Sequence, residues 1–349
     1  MTMSDANVYF VGWDVGAWGG EKDGGEDAIF VLRRVRGEHA TNTYSYVVNS
    51  FYGNITKVLK GKKGEDFDSP GKLLNILLQN AELPVNFKDN DVFVVAIDAI
   101  LRWPKHFCDL INDTMSDSSI LMDVISSNDP IRNKFQYRLT ERIAWELKKD
   151  APGSGEATLP LSAVKDLMGS QSTKALSFLR HWGYKFDAES SVWKPEKPGE
   201  SNDASLESVA IETYPGVIRT SKTCPVACIE GILKKYGIDK ITEVFHAETS
   251  HAGTHANNTK NYWENAMKHM ASQKNPFKPG KKYTPWDDLF DAFICAKIAE
   301  WYHDITPEGL IKVKQGQMGK LKEDTGGYES EGWIWIPSLR DGEQSKTKG

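Results

Sequence analysis

Three carboxylates in this sequence stand at the ends of apolar runs, where they could do chemistry. Asp14 ends the run that starts at Val8, Asp98 ends the run that starts at Val92, and Glu212 ends a third run. Runs that are apolar at every position are typical of strands buried on both faces of a sheet. Because ligands of α/β proteins bind at the carboxyl ends of parallel strands, we expect these three carboxylates to form a catalytic group at one sheet edge.

A helix later in the chain should bring two more carboxylates. Thr284 is its predicted N-cap, Pro285 occupies the first helical position, and Asp287 completes a capping box. Asp288 and Asp291 have i, i+3 spacing, so they share one face of the helix and repel each other unless a cation lies between them. The alternative, a surface helix whose acidic start suits the helix dipole, stays open at this point.

Hard carboxylate oxygens are the ligands that Mg²⁺ and Mn²⁺ prefer, often together with substrate phosphates. Two such ions about 4 Å apart stabilise the attacking and leaving oxygens of an in-line displacement. The sequence has no GxxxxGK[ST] phosphate loop and no serine–histidine arrangement to support a rival mechanism. We therefore predict Mg²⁺ or Mn²⁺ as cofactor, with Asp14, Asp98, Asp288 and Asp291 as metal ligands.

Arg138 and Arg142 lie one helical turn apart and are candidates for binding a substrate phosphate. Pairing with Glu141 or Glu146 is the alternative, and both interpretations stay open. A basic loop leads into the acidic helix and is predicted to guide a polyanionic substrate, although a solvated loop is the alternative; its lysines are Lys278, Lys281 and Lys282.

Three closely spaced histidines, His246, His251 and His255, suggest a metal site at first sight. Their spacing lacks the i, i+4 pair with glutamate of zinc proteases. We therefore interpret this segment as a polar loop near the substrate, and the sequence does not fix its role.

The composition is typical of a soluble globular protein, with 40% hydrophobic and 26% charged residues in 349. A net charge of -5 argues against a uniformly basic nucleic-acid coat but allows a local basic groove. No apolar run is long enough to span a membrane, and the first residues lack a signal pattern, so we expect a cytoplasmic protein. The four cysteines have no CxxC spacing and are expected to be reduced. The oligomeric state is left open.

Strand and helix patterns predict an α/β core that an insertion interrupts. Residues 28–36 and 43–50 read as a hairpin antiparallel to the first strand, and residues 331–337 as a terminal strand. Helices are predicted over 72–83, 133–149, 170–182 and 224–236. The predicted organisation is a first part of the core over 1–104, a mainly helical insertion or cap over 105–205, a second part of the core over 206–337, and a disordered tail over 338–349.

Six short motifs occur in an order that resembles a known group of proteins. They are Gly12–Asp14 with the nearby Trp18-Gly-Gly, Ala96–Ala99, Tyr137–Arg142, Ile211–Pro215, Asp287–Ala292 and Gly332–Pro337. With these motifs the chain resembles the ribonuclease-H-like superfamily, especially the RuvC-type resolvases, whose last helix carries an Asp-x-x-Asp-Ala pair. It is most similar to the domain-of-unknown-function family 429. Glu141 stands where an aspartate is expected.

The resemblance implies a mixed five-stranded sheet flanked by helices, with a metal-dependent nuclease site at the carboxyl ends of strands one and four. The partner would be DNA or RNA. A second class of function is a nucleic-acid-binding or scaffold protein that keeps the fold without turnover. A third is an actin-like ATPase or sugar kinase, but these are built from two such domains, and the sequence shows no second copy.

Overall fold

The computed structural model describes eleven segments of the chain: residues 7–18, 25–36, 43–79, 86–88, 90–112, 114–115, 133–149, 169–196, 207–216, 285–318 and 331–337. These segments form seven strands: β1 (Val8–Asp14), β2 (Asp27–Arg36), β3 (Thr43–Gly53), β4 (Val92–Asp98), β5 (Tyr184–Asp187), β6 (Val192–Pro195) and β7 (Val209–Glu212). They also form seven helices: α1 (Ile55–Gly61), α2 (Pro70–Leu78), α3 (Lys105–Ile111), α4 (Leu139–Lys149), α5 (Gly169–His181), α6 (Pro285–Asp304) and α7 (Pro307–Met318).

All seven strands belong to one mixed sheet of order β3-β2-β1-β4-β7-β6-β5. β2 is antiparallel to both β1 and β3, which confirms the prediction for the first three strands. β4 is parallel to both β1 and β7. The chain is therefore an α/β protein with helices against a mixed sheet, as predicted.

The sheet has seven strands where five were predicted. The two additional strands, β5 and β6, form a hairpin inside the stretch that was predicted to be a mainly helical insertion, and Trp193 of β6 pairs with Ala210 of β7. Each strand has only four residues, too short for a clear alternating pattern in the sequence. Part of this stretch therefore extends the sheet.

The helix predicted from residue 133 begins six residues later, at Leu139. Residues 134–136 instead form a turn, in which the Asn133 carbonyl accepts the N–H of Tyr137 at 2.9 Å. The Glu141 carboxylate then accepts the N–H of Arg138 at 2.6 Å. This is the reciprocal half of a capping box, and it fixes the start of α4.

Helix α6 packs closely across β1 because small residues meet there. A Cβ placed on Gly12 would lie 1.8 Å from the carbonyl oxygen of Ala292 and 2.4 Å from the amide nitrogen of Ala296. The sequence predicted that small residues would let this helix lie against a sheet, and the prediction is confirmed. Successive strand residues face opposite sides, so Gly12 and Asp14 face α6, whereas Tyr9, Val11 and Trp13 pack on the other side against α2 and α5.

Several predictions fall outside the described residues. They are the helix over 224–236, the tail over 338–349, the cap residue Thr284, the histidines His246, His251 and His255, and the lysines Lys278, Lys281 and Lys282. Among the described helices, none is long and apolar enough to cross a membrane.

Candidate carboxylate site

Asp14 and Asp98 are paired residues at the ends of two neighbouring parallel strands. The register of β1 and β4 sets Asp14 directly opposite Asp98. Neighbouring strands lie about 4.8 Å apart, and residues in one register row point to the same face. The side-by-side pairing predicted from the sequence is confirmed. Both side chains are partly exposed at the carboxyl ends of their strands, on the face that α6 covers.

The first turns of α6 carry Asp288 and Asp291 over this pair. Both side chains are partly exposed. Cys295 lies one turn further along α6, close to these carboxylates. Burial raises the pKa of its thiol, and the charges of Asp98, Asp291 and Asp14 raise that pKa further. Three carboxylates from two strands and one helix therefore act on a single buried sulfur atom. The structure brings together the sheet carboxylates and the helix carboxylates that the sequence predicted separately.

Tyr52 lies beside this group and was not predicted from the sequence. Its hydroxyl is 3.5 Å from Oδ2 of Asp288. Asp14 pairs with Ala28, and Ala28 pairs with Tyr52, so one register row runs from Asp98 across the sheet to Tyr52. Burial raises the pKa of the Tyr52 phenol, and the charges of Asp288, Glu26 and Asp14 raise it further.

A second tyrosine, Tyr214, flanks the other side of the site. It follows the end of β7, which pairs with β4. Burial raises the pKa of Tyr214 to about 12, with further contributions from Asp98 and Asp291. Tyr52 and Tyr214 therefore stand on either side of the four carboxylates. Neither tyrosine is predicted from the sequence, because a tyrosine in or after a strand is usually a packing residue. The register row that Tyr52 shares with Asp14 and Asp98 is the signal that distinguishes it.

The four carboxylates do not form a complete protein cage for an ion. Within the described segments, no group of three or more His, Cys, Asp or Glu side chains has the geometry to hold a metal. The Asp14–Asp98 pair fits a different mode of binding, in which one or two carboxylates hold Mg²⁺ and water or substrate oxygens complete the shell. The donor set is therefore compatible with a hard divalent cation.

Glu212 does not lie with these four carboxylates, where its predicted catalytic role would place it. Its carboxylate forms a buried ion pair with Arg138, with Nη1 of Arg138 at 2.9 Å from Oε2 of Glu212. Oε2 also accepts the N–H of Leu101 at 3.0 Å. Only 5% of the Glu212 side chain is exposed. These contacts give Glu212 a structural role.

Arg138 had two open interpretations, phosphate binding and pairing with a glutamate, and the structure places it in the interior. Its side chain is fully buried, and besides Glu212 it binds Glu141, with Nε at 2.9 Å from Oε1. Nη1 also donates to the carbonyl of Glu331 at 3.1 Å. The alternative pairing with Glu141 is confirmed, although it lies in the interior rather than on the surface. Arg142 is also largely buried.

This buried polar network joins three of the six sequence motifs. Arg138 and Glu141 come from the motif Tyr137–Arg142, Glu212 comes from Ile211–Pro215, and Glu331 immediately precedes Gly332–Pro337. The Glu331 carboxylate accepts the N–H of Leu139 at 2.9 Å and that of Lys105 at 2.8 Å. The network therefore connects the end of β7 to the starts of α3 and α4. A structural role accounts for the residues of these motifs without a role in catalysis.

A second buried ion pair, Asp27–Lys174, braces the loop that follows Asp14. Both side chains are fully buried. The Asp27 carboxylate also accepts the indole N–H of Trp13 and the N–H of Gly16, each at 3.1 Å. Lys174 Nζ donates to the carbonyl of Ala17 at 3.2 Å. Helix α5, from the predicted insertion, thus stabilises the backbone that follows Asp14.

Comparison with known proteins assigns no family: no family model, no curated protein and no solved structure matches the chain. The resemblance to ribonuclease-H-like proteins therefore stays a prediction from motifs.

Proposed function

We propose that this protein is a Mg²⁺- or Mn²⁺-dependent nuclease that hydrolyses phosphodiester bonds in DNA or RNA. One observation carries the proposal: Asp14 and Asp98 are register partners under α6, and the Asp288 carboxylate on α6 lies 3.5 Å from the hydroxyl of Tyr52 in the same register row. Carboxylates crowded at the end of a sheet are costly in charge repulsion unless a cation or protons relieve it. A cation that also binds phosphate would relieve that repulsion and recruit the substrate.

The arrangement of the strands supports a ribonuclease-H-like core as part of this proposal. The strands β3-β2-β1-β4-β7 have the mixed character implied by the resemblance, and Asp14 and Asp98 end the first and fourth strands in chain order. The β5-β6 hairpin would be an addition to the edge of that core. A cytoplasmic location stays a prediction from the sequence.

The proposed roles of the residues follow from their positions. A divalent ion would supply Lewis acidity and an activated water. Asp14 and Asp98, from rigid neighbouring strands, would provide its fixed oxygen ligands. Asp288 and Asp291 would add negative charge from α6, and the Tyr52 hydroxyl would hold Asp288 in place. Glu212 and Arg138 would support the site only indirectly, through the packing of β7 and α4.

A cleavage assay tests this proposal. Labelled single-stranded, duplex and junction forms of DNA and RNA are incubated with the protein in Mg²⁺, in Mn²⁺ and in EDTA. We expect cleavage in the presence of either ion, none in EDTA, and none with Asp14→Asn. Asp304→Asn is the matched control, because Asp304 lies on the same helix but is exposed and pairs with Arg34. Equal cleavage by wild type and Asp14→Asn would reject the proposal.

A second candidate is a nucleic-acid-binding or scaffold protein without turnover. The observation in its favour is that the described carboxylates do not form a group of three or more with ion-holding geometry. Such a protein would bind the same nucleic acids in EDTA and show no cleavage under any ion. Binding without cleavage by the wild-type protein would select this candidate.

A further inference from the structure

Trp18 is an exposed aromatic side chain in a fixed position. It is 40% exposed, whereas Trp13, Trp182 and Trp193 are buried. Its backbone N–H donates to Ser170 Oγ at 3.0 Å, and its indole N–H donates to Thr173 Oγ1 at 2.9 Å. Its carbonyl accepts the hydroxyl of Thr56 at 2.9 Å. Three hydrogen bonds with residues of two helices therefore hold Trp18 in place while its ring stays exposed to solvent. Because the side chain is already ordered, stacking of a ligand on the ring would cost little side-chain conformational entropy.

Three exposed lysines lie on and just after α1, the helix whose Thr56 binds the Trp18 carbonyl. Thr56 is followed in α1 and the next turn by Lys57, Lys60 and Lys63. Lys57 and Lys60 have i, i+3 spacing and share one face of the helix. In the segments that the structure describes, none of these three lysines pairs with an acidic side chain, whereas the neighbouring Lys62 pairs with Glu65. Their charge is available to a polyanion.

Two short stretches of chain connect this basic–aromatic surface (Trp18, Lys57, Lys60 and Lys63) to the carboxylate site. Trp18 follows Asp14 by four residues, and a chain of that length spans at most ~14 Å. Helix α1 begins three residues after Tyr52, which lies beside Asp288. Helices α1 and α5 pack on the face of the sheet opposite α6. A strand bound on this surface would therefore reach the carboxylates by crossing the end of the sheet where β1 and β4 finish.

We propose that the basic–aromatic surface binds an unpaired nucleic-acid strand, with Trp18 stacked on a base and the three lysines on phosphates. An unpaired strand is favoured because base faces inside a duplex are covered by their neighbours, and a surface tryptophan can stack only on an exposed base. The proposal rests on the proposed function for its ligand and names the substrate class of that site.

Anisotropy titrations in EDTA test the surface without cleavage. The probes are a labelled oligothymidylate, the matching oligouridylate and a blunt DNA duplex of equal length. Trp18→Ala should weaken binding of the single strands about tenfold, while Trp18→Phe, which keeps a ring, should retain most of the affinity. A triple variant should depend less steeply on salt: the slope of the logarithm of the binding constant against the logarithm of the salt concentration should become smaller in magnitude by about 2. Its substitutions are Lys57→Gln, Lys60→Gln and Lys63→Gln. The ratio of the two single-strand affinities distinguishes DNA from RNA.

A triple variant of exposed lysines elsewhere, Lys88→Gln, Lys185→Gln and Lys312→Gln, changes the net charge equally and should keep the wild-type salt slope. Unchanged single-strand affinity in Trp18→Ala, or equally tight binding of the duplex, would overturn the inference. Asp14→Asn separates the two proposals, because it should abolish cleavage and leave single-strand binding intact. If cleavage depends on Asp14 but Trp18→Ala binds single strands as tightly as wild type, only the proposal for the basic–aromatic surface is rejected. If Trp18→Ala weakens binding but the wild-type protein cleaves nothing, only the nuclease proposal is rejected.

Discussion

Asp27 on β2 and Lys174 on α5 form an ion pair whose two side chains are both completely buried. Removal of one partner leaves the other charge buried and unpaired, which typically costs 3–5 kcal/mol. We therefore predict that Lys174→Met lowers the free energy of unfolding by about 4 kcal/mol, measured by urea denaturation. The exposed Lys185→Met should change it by less than about 0.5 kcal/mol. A loss below about 1 kcal/mol in Lys174→Met would mean that the pair does not brace the fold.

Gly12 should not tolerate a methyl group. A Cβ there would overlap the backbone of α6 at Ala292, and backbone cannot rotate away as a side chain can. Gly12→Ala should cost at least about 2–3 kcal/mol in the free energy of unfolding and displace the helix that carries Asp288. Gly316→Ala is the control, because a Cβ at Gly316 on α7 meets no atom within 4 Å, and it should stabilise the protein by up to ~1 kcal/mol. A neutral Gly12→Ala would contradict the close packing of α6 on β1.

Tyr52 and Tyr214 should matter for activity more than for stability. Removal of the hydroxyl in Tyr52→Phe should slow cleavage about tenfold, the effect expected from the loss of one useful hydrogen bond, and change the free energy of unfolding by less than about 1.5 kcal/mol. Tyr214→Phe should act in the same direction. Tyr302→Phe is the matched control, since this tyrosine is also partly buried but packs against Trp335 near the other end of α6. Equal rates for all three variants would remove the tyrosines from the site.

The buried network predicts a pH-dependent contribution to stability. Burial raises the pKa of Glu141 above its ordinary value of 4.5, although Arg138 opposes the shift. The folded state then holds the proton more tightly than the unfolded chain, so this contribution is complete at low pH and is lost as the pH rises above about 4.5 toward the raised pKa. The stability difference between wild type and Glu141→Gln should therefore move in favour of the variant between about pH 4.5 and pH 7.

Chemical denaturation across this pH range measures that difference. A difference that stays constant with pH for Glu141→Gln would show that Glu141 keeps an ordinary pKa in the folded state.

Local patterns in the sequence predicted the features that depend on neighbouring residues. β1 and β4 were recognised because they are apolar at every position, and their parallel pairing places Asp14 beside Asp98. The packing of α6 followed from its small residues, which meet Gly12. The apolar runs and the small residues are each visible as a spacing of residue types within one element.

Contacts between distant residues could not be predicted in the same way. The pairing of Arg138 with Glu212 joins residues 74 positions apart, and neither motif contains a signal for the other. For the same reason Glu212 was expected at the catalytic edge, since a strand that ends in glutamate looks the same whether the carboxylate is exposed or paired. Trp18 and α5 are likewise joined by contacts more than 150 positions apart in sequence.

The most direct test of the account is the thermal stability of the protein with and without Mn²⁺. A ligand that binds the native state stabilises it by about 2.7 kcal/mol at a hundredfold excess over Kd, so wild type should melt several degrees higher in saturating Mn²⁺ than in EDTA. Asp14→Asn and Asp98→Asn should fold and lose most of this increase, while Asp304→Asn should keep it. An equal increase in all four proteins, or none in wild type, would contradict a metal site at Asp14 and Asp98.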